Sequence, residues 1–282
     1  MYSRILVPLD GSDLAEQVLP YVRALGRSLK SPIELISTFE AAPEEVADPR
    51  HGHYAHQIDA STQADSLDYL NGIKSGSLDD LGVEVSCTIN EGHPAEWIVA
   101  EAEKQADTLI AMSTHGRSGM ARFVMGSTTD KVLRAASSPM LIVRCEEGAA
   151  RPREVQLQTA IVPLDGSPLA ERILAHVTTI AKSLGISVML VRVTPHFDEM
   201  ALEYLRSIAA VMRGEGVASV EERLLHGNPA EAIVDFALET NNNLVAMTTH
   251  GRSGVGRWVL GSVTDRVVQH SGDPVLVVRS NL

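Results

Sequence analysis

The chain has 282 residues, 44% hydrophobic and 21% charged, with a formal charge of −12. That length exceeds one ordinary compact domain, the balance excludes long disordered tails, and the negative charge excludes nonspecific nucleic-acid binding through a global positive field. No apolar run approaches the ~20 residues of a membrane helix, Asp10 follows the start too soon for a signal peptide, and the two cysteines, Cys87 and Cys145, indicate no disulfide scaffold, so a cytoplasmic protein without membrane or nucleic-acid partners is expected.

A strand is expected over 4–9, then a helix over 13–30, a strand over 33–39, a helix over 61–81 and a strand over 83–89. A helix over 94–105, a strand over 108–113, a helix over 127–136 and a strand over 140–144 complete this series. The strands are nearly continuous runs of Val, Ile and Leu, as expected of a parallel sheet covered by helices on both faces. The polar stretch 146–156, broken by Gly and Pro, reads as a linker, and further strands over 188–193, 244–248 and 275–279 repeat the pattern.

The repetition is literal. ILVPLDGSDLAE at 5–16 returns as AIVPLDGSPLAE at 160–171, an offset of 155. EGHPAEWIV (91–99) returns as HGNPAEAIV (226–234), and the segment 113–133 returns at 248–268, both offset by 135. The first copy therefore holds twenty additional residues, placed at 41–60, whose Pro, Gly and charge content suits a surface insertion that could act as a lid. His51, His53 and His56 within it read as solvated rather than metal-binding, because structural metal sites usually show four fixed ligands.

The expected fold is α/β: two tandem Rossmann-like domains, 1–147 and 154–282, each a five-stranded parallel doubly wound sheet flanked by about four helices, packed as a pseudo-twofold dimer. The fifth strands would otherwise be exposed apolar edges, so they are expected to pair with one another.

Ligands of such sheets collect beyond the carboxyl ends of the strands, where strand order reverses. Pro8, Leu9 and Asp10, with Pro163, Leu164 and Asp165, end the first strand of each copy there. Asp10 and Asp165 could meet a ligand hydroxyl, cap the next helix, or both. Met112, Ser113, Thr114, His115 and Gly116 end the fourth strand, with Arg117 next, and after nine residues Gly126, Ser127 and Thr128 open a helix. The second copy has Met247, Thr248, Thr249, His250, Gly251 and Arg252, then Gly261, Ser262 and Val263. Glycine after a strand permits close backbone approach, and a helix amino terminus favours anions, so these loops read as phosphate cradles in a locally basic segment. His115 and His250 read as loop-shaping, and Trp97 and Trp258 as packing residues. No GxSxG, HExxH or Walker P-loop motif occurs, which argues against an α/β-hydrolase, a zincin and a P-loop NTPase.

These motifs resemble those of the universal stress protein A family, within the adenine-nucleotide-binding α/β superfamily. Its ATP-binding members carry Gly-x2-Gly-x9-Gly-Ser/Thr; here Gly116-x9-Gly126-Ser127 and Gly251-x9-Gly261-Ser262 match, with Ser113 and Thr248 at the first glycine. Thr does not readily take positive φ, so the chain there should be extended, with the hydroxyls either contacting phosphate or narrowing the pocket. The resemblance implies ATP, with or without Mg2+, or another adenine nucleotide as ligand. It further implies that Asp10 and Asp165 hold the adenosine, while the backbone near Thr38 and Val193 faces adenine. The leading expectation is a stress or regulatory protein using the nucleotide as a conformational signal. The alternatives are a low-activity nucleotide hydrolase or transferase, and a nucleotide-independent scaffold. Homo-oligomerisation is compatible with each.

Overall fold

The computed structural model describes residues 2–39, 52–115, 125–146, 148, 152–249 and 260–279, without the side chains of 52–62. The first copy runs β1 (Arg4–Pro8), α1 (Leu19–Leu29), β2 (Ile33–Phe39), α2 (Gly52–Ile73), β3 (Val85–Glu91), α3 (Pro94–Glu103), β4 (Thr108–Ser113), α4 (Ser127–Ala135) and β5 (Met140–Val143). The second runs β6 (Thr159–Pro163), α5 (Pro168–Glu171), α6 (Ile173–Leu184), β7 (Ser187–Thr194), α7 (Glu199–Gly214), β8 (Val220–His226), α8 (Pro229–Glu239), β9 (Asn243–Thr248), α9 (Ser262–His270) and β10 (Val275–Val278).

Two expected helices begin elsewhere, while those expected over 94–105 and 127–136 end one or two residues earlier, at Glu103 and Ala135. The span read as a helix over 13–30 begins as a 3-10 turn, Ala15–Val18, and becomes α-helical at Leu19, with Pro20 in the first turn where its missing N–H costs nothing. The helix expected from residue 61 starts at Gly52, inside the stretch taken for a loop insertion, and gives way at Lys74 to a π turn and then a 3-10 turn ending at Leu81. Residue 51 and the side chains of His53 and His56 lie outside the description, as do residues 41–50 of that stretch.

The strands form one sheet in the order β3-β2-β1-β4-β5-β10-β9-β6-β7-β8, parallel within each copy. Alternate residues serve opposite layers. Ile5, Val7, Leu109, Ala111 and Leu141 join a core with α1, α2, α6 and α7, whereas Leu6, Ile110, Met112, Met140 and Ile142 join one with α3, α4, α8 and α9. Burial on both faces is why these strands carry no polar alternation.

The copies meet at β5 and β10, which pair antiparallel with Leu141 opposite Leu276. The repeat offset of 135 also carries Leu141 onto Leu276, so the register is centred on a pair of equivalent residues, as a local twofold requires. Both hydrophobic clusters continue through this seam into the other copy. Around it, the Tyr2 hydroxyl lies 2.9 Å from His176 Nδ1, Arg279 donates to the Ala135 carbonyl at 2.9 Å, and Gln17 exchanges two bonds with the Glu146 backbone at 2.8 and 3.0 Å. Burial holds the His176 pKa below its ordinary value.

One buried feature belongs to the first copy alone. Arg4, 8% exposed, pairs with Glu34, lies 3.5 Å from Glu101 Oε1 and donates to Thr108 Oγ1 at 3.1 Å. The two offsets put Thr159, Met189 and Phe236 where Arg4, Glu34 and Glu101 stand, and Met189 and Phe236 pack against the apolar core.

Candidate functional site

In the order β3-β2-β1-β4-β5, the chain leaves β1 for β2 on one side and returns to β4 on the other, so the crevice falls between the ends of β1 and β4. A cleft of about 200 Å3 lies there. Pro8, Leu9 and Asp10 line it from β1, Thr38 from β2, Met112, Ser113 and His115 from β4, and Gly126, Ser127 and Thr128 from the start of α4. Ala15, Ile36, Ser37, Pro94, Trp97, Ile98 and Thr129 complete the lining and were not anticipated as site residues. Trp97 packs against the core as expected, but half-buried, and it also forms part of this wall.

The Asp-Gly-Ser turn explains one ambiguity. Gly11 and Gly166 take φ of 81° and 82°, a left-handed conformation that favours glycine. Asp10 Oδ1 accepts from the Ser12 amide at 3.0 Å and the Ser12 hydroxyl at 2.6 Å, while Ser12 Oγ accepts from the Ala15 amide at 3.1 Å. In the second copy Asp165 Oδ1 accepts from the Ser167 amide at 2.9 Å, and Ser167 Oγ caps α5 through Ala170 at 3.2 Å. Ser167 caps α5 and Ser12 holds the first amide of the 3-10 turn; the aspartates shape the turns that present these serines, and Asp10 remains on the cleft wall.

The carboxyl end of β4 is tied to α4 by backbone. Gly126 donates to the Thr114 carbonyl at 2.7 Å and Thr129 Oγ1 to the Ser113 carbonyl at 2.8 Å; Gly261 to Thr249 at 2.8 Å and Thr264 to Thr248 at 2.9 Å repeat both bonds. A Cβ on Gly126 would stand 2.8 Å from the Thr114 oxygen. Gly126, the N-cap residue, has φ of −56°, so it is needed for close approach to its own chain and not for a positive φ. Gly126→Ala should therefore prise β4 from α4 and cost about 1–3 kcal/mol, read as a lowered Tm with or without ligand; an unchanged Tm would show that the loop yields freely.

Ser127 is the first helical residue, not the cap. Neither α4 nor α9 has a side-chain cap bond at its N-cap residue, whereas Ser167, Asp198 and Asn228 cap α5, α7 and α8. Gly126 to Thr129 line the cleft, so the positive end of the α4 dipole and its first amides, without a side-chain cap, lie at the cleft wall, an arrangement that favours an anion. Ser113 and Thr248 end β4 and β9 in extended conformation, and Ser113 donates its hydroxyl to the His115 carbonyl at 2.7 Å. His115 Nδ1 lies 3.1 Å from Thr114 Oγ1 and 3.8 Å from Cys145 Sγ. Arg134, one of the basic residues of the segment after β4, is ion-paired with Asp130 at 2.9 Å.

The second copy places Pro163 at the end of β6 with Leu164 and Asp165 following, Val193 in β7, Met247 and Thr248 in β9, and Gly261, Ser262 and Val263 at the start of α9. Gly116, Arg117, His250, Gly251 and Arg252 lie outside the described residues, as does Trp258.

A pair that sequence reading passed over recurs in both copies. Tyr69 donates to Glu16 Oε1 at 3.2 Å and Tyr204 to Glu171 Oε1 at 2.9 Å, tying α2 and α7 to the segments after the Asp-Gly-Ser turns. Burial, and then the neighbouring glutamates, push both phenols above their ordinary pKa. Offset 155 carries Glu16 onto Glu171 and offset 135 carries Tyr69 onto Tyr204, so the sequence shows that both residues recur without showing that they meet.

Among the described residues no group of three or more His, Cys, Asp and Glu is arranged to hold a metal, and no helix is long and apolar enough to cross a membrane.

This architecture defines a tandem α/β protein with a crevice at the switch point of a doubly wound sheet. Comparison of the sequence is specific: the universal stress protein family model matches residues 1–144 and again 157–279, and the chain belongs to that family. A universal stress protein of Mycolicibacterium smegmatis is 23% identical over 292 aligned residues, covering 98% of this chain and 96% of that one. One from Methanocaldococcus jannaschii is 28% identical over 144 residues, 51% of this chain and 83% of its own. The crystal structure of a universal stress protein from Archaeoglobus fulgidus superposes with a TM-score of 0.74 at 20% identity, covering 100% of both chains, which supports the fold.

Proposed function

We propose that this chain binds an adenine nucleotide, ATP with or without Mg2+, and uses it as a conformational signal rather than as a rapidly consumed substrate. The observation that carries this reading is the α4 amino terminus, without a side-chain cap and set in the wall of the same switch-point cleft that Asp10 lines. The phosphates would lie against the amides of Ser127 to Thr129, and the nucleoside toward Asp10 and Thr38. On this reading His115, bonded to Thr114 beside Cys145, shapes the loop and performs no proton transfer.

A ligand that binds only the folded chain stabilises it by about 2.7 kcal/mol at a hundredfold excess over Kd. Thermal melts with ATP and Mg2+ are therefore expected to rise by several degrees, while tripolyphosphate or sulfate at equal ionic strength produces less. Equal shifts with the simple anions would refute nucleotide recognition, and multiple-turnover release of ADP or AMP would refute the signalling role.

A further inference from the structure

The repeat allows the two switch-point regions to be compared position by position. The glycines, Asp10 and Ser127 have identical counterparts, but part of the wall does not: Ser37, Thr38, Trp97 and Thr128 correspond to Arg192, Val193, Ala232 and Val263. The largest difference is the loss of the indole. In the first copy Pro94, Trp97 and Ile98 of α3, with Ile36 and Met112, supply the apolar part of the cleft lining, to which Asp10 and Ser127 add polar groups. In the second, Ala232 can supply no such wall, and the Arg192 guanidinium lies 5.3 Å from the Tyr204 ring centroid.

From this difference we infer that Trp97 is the base-recognising wall of the first cleft and that the two sites of the chain are inequivalent: the first selects a ligand carrying both phosphate and a planar aromatic base. This inference rests on the nucleotide reading above and deepens it. An aromatic face is a sequence-tolerant stacking platform for any base, whereas the helix terminus recognises only phosphate. Trp97 therefore contributes to ATP affinity and nothing to the binding of tripolyphosphate. Its half-buried position fits that role, since the ring is held by the core on one side and reaches the cleft on the other.

The test is equilibrium dialysis of the full chain with ATP and Mg2+ and, separately, with tripolyphosphate, for wild type, Trp97→Phe and Trp97→Ala. Trp97 emission is followed in a Trp258→Phe background. Wild type should show one strong ATP site per chain, with ATP but not tripolyphosphate quenching the emission. Trp97→Ala should weaken ATP by about tenfold or more while leaving tripolyphosphate unchanged, and Trp97→Phe should restore most of the affinity. Two sites of equal affinity, undiminished ATP binding by Trp97→Ala, or an equal loss of ATP and tripolyphosphate would overturn the inference while leaving nucleotide binding intact. Absence of ATP binding to wild type would instead overturn the nucleotide reading and this inference with it.

Discussion

Replacing Arg4 by alanine should destabilise the protein by about 3–5 kcal/mol, because it leaves Glu34 and Glu101 as uncompensated carboxylates in a largely buried site. The second copy shows a different solution at the same place, Thr159, Met189 and Phe236. The triple replacement Arg4→Thr, Glu34→Met and Glu101→Phe should therefore be neutral or stabilising by about 1–4 kcal/mol, since the desolvation of three charges disappears with their attraction. The triple variant also loses the Arg4 bonds to Thr108 Oγ1 and to the Glu101 carbonyl, but Thr108 still donates to the Gln105 carbonyl at 2.7 Å and the Glu101 carbonyl still accepts from the Lys104 amide at 3.2 Å, and the two side chains that lose a glutamate are open to water. Thr88, which donates to Glu34 at 3.0 Å, is partly accessible, and the Lys104 side chain is 65% exposed. Guanidinium unfolding midpoints compare the two variants directly. A triple variant as unstable as Arg4→Ala would mean that the ionic cluster contributes net stability beyond its own cost.

The second large effect is expected at the seam between the copies. Ile142 and Val277 are 1% and 2% exposed, flank the central Leu141–Leu276 pair, and lie in the same hydrophobic layer. Ile142→Asp combined with Val277→Asp would bury two carboxylates without cationic partners, at a cost of several kcal/mol each unless the strands part. The smaller ties across the seam, such as Tyr2 with His176 and Arg279 with the Ala135 carbonyl, contribute about 0.5–1.5 kcal/mol each and cannot offset that. The double variant should show an increased radius of gyration by small-angle scattering and faster proteolysis between β5 and β6. Unchanged scattering and unchanged protection would contradict the assignment of this seam as what joins the halves.

The family motifs and the two-copy organisation were legible because they are written twice. Each repeated segment gave an independent reading of the same turn, and strands buried on both faces show as unbroken apolar runs. Helix starts were less legible. Gly and Pro content made 41–60 look like a loop, yet a helix begins at Gly52, because packing of the later turns, through residues such as Leu70, overrides weak local propensity. The site was legible as a set of positions more than as a set of roles. Ser167 proves to be a cap, Ser12 holds the Ala15 amide in the equivalent place, and Gly126 is required by the Thr114 carbonyl, a contact across twelve residues that spacing alone does not reveal.

Sequence by itself determined the repeat, the alternation of strands and helices, and the loops that reach the crevice, since each of these is a local pattern or a comparison of the chain with itself. Tertiary structure alone decided that Leu141 faces Leu276, that Tyr69 and Tyr204 are bound by Glu16 and Glu171, and that Trp97 belongs to the cleft as well as to the core. These depend on contacts between elements distant in sequence, and periodicity shows which face of an element is buried without showing what it is buried against.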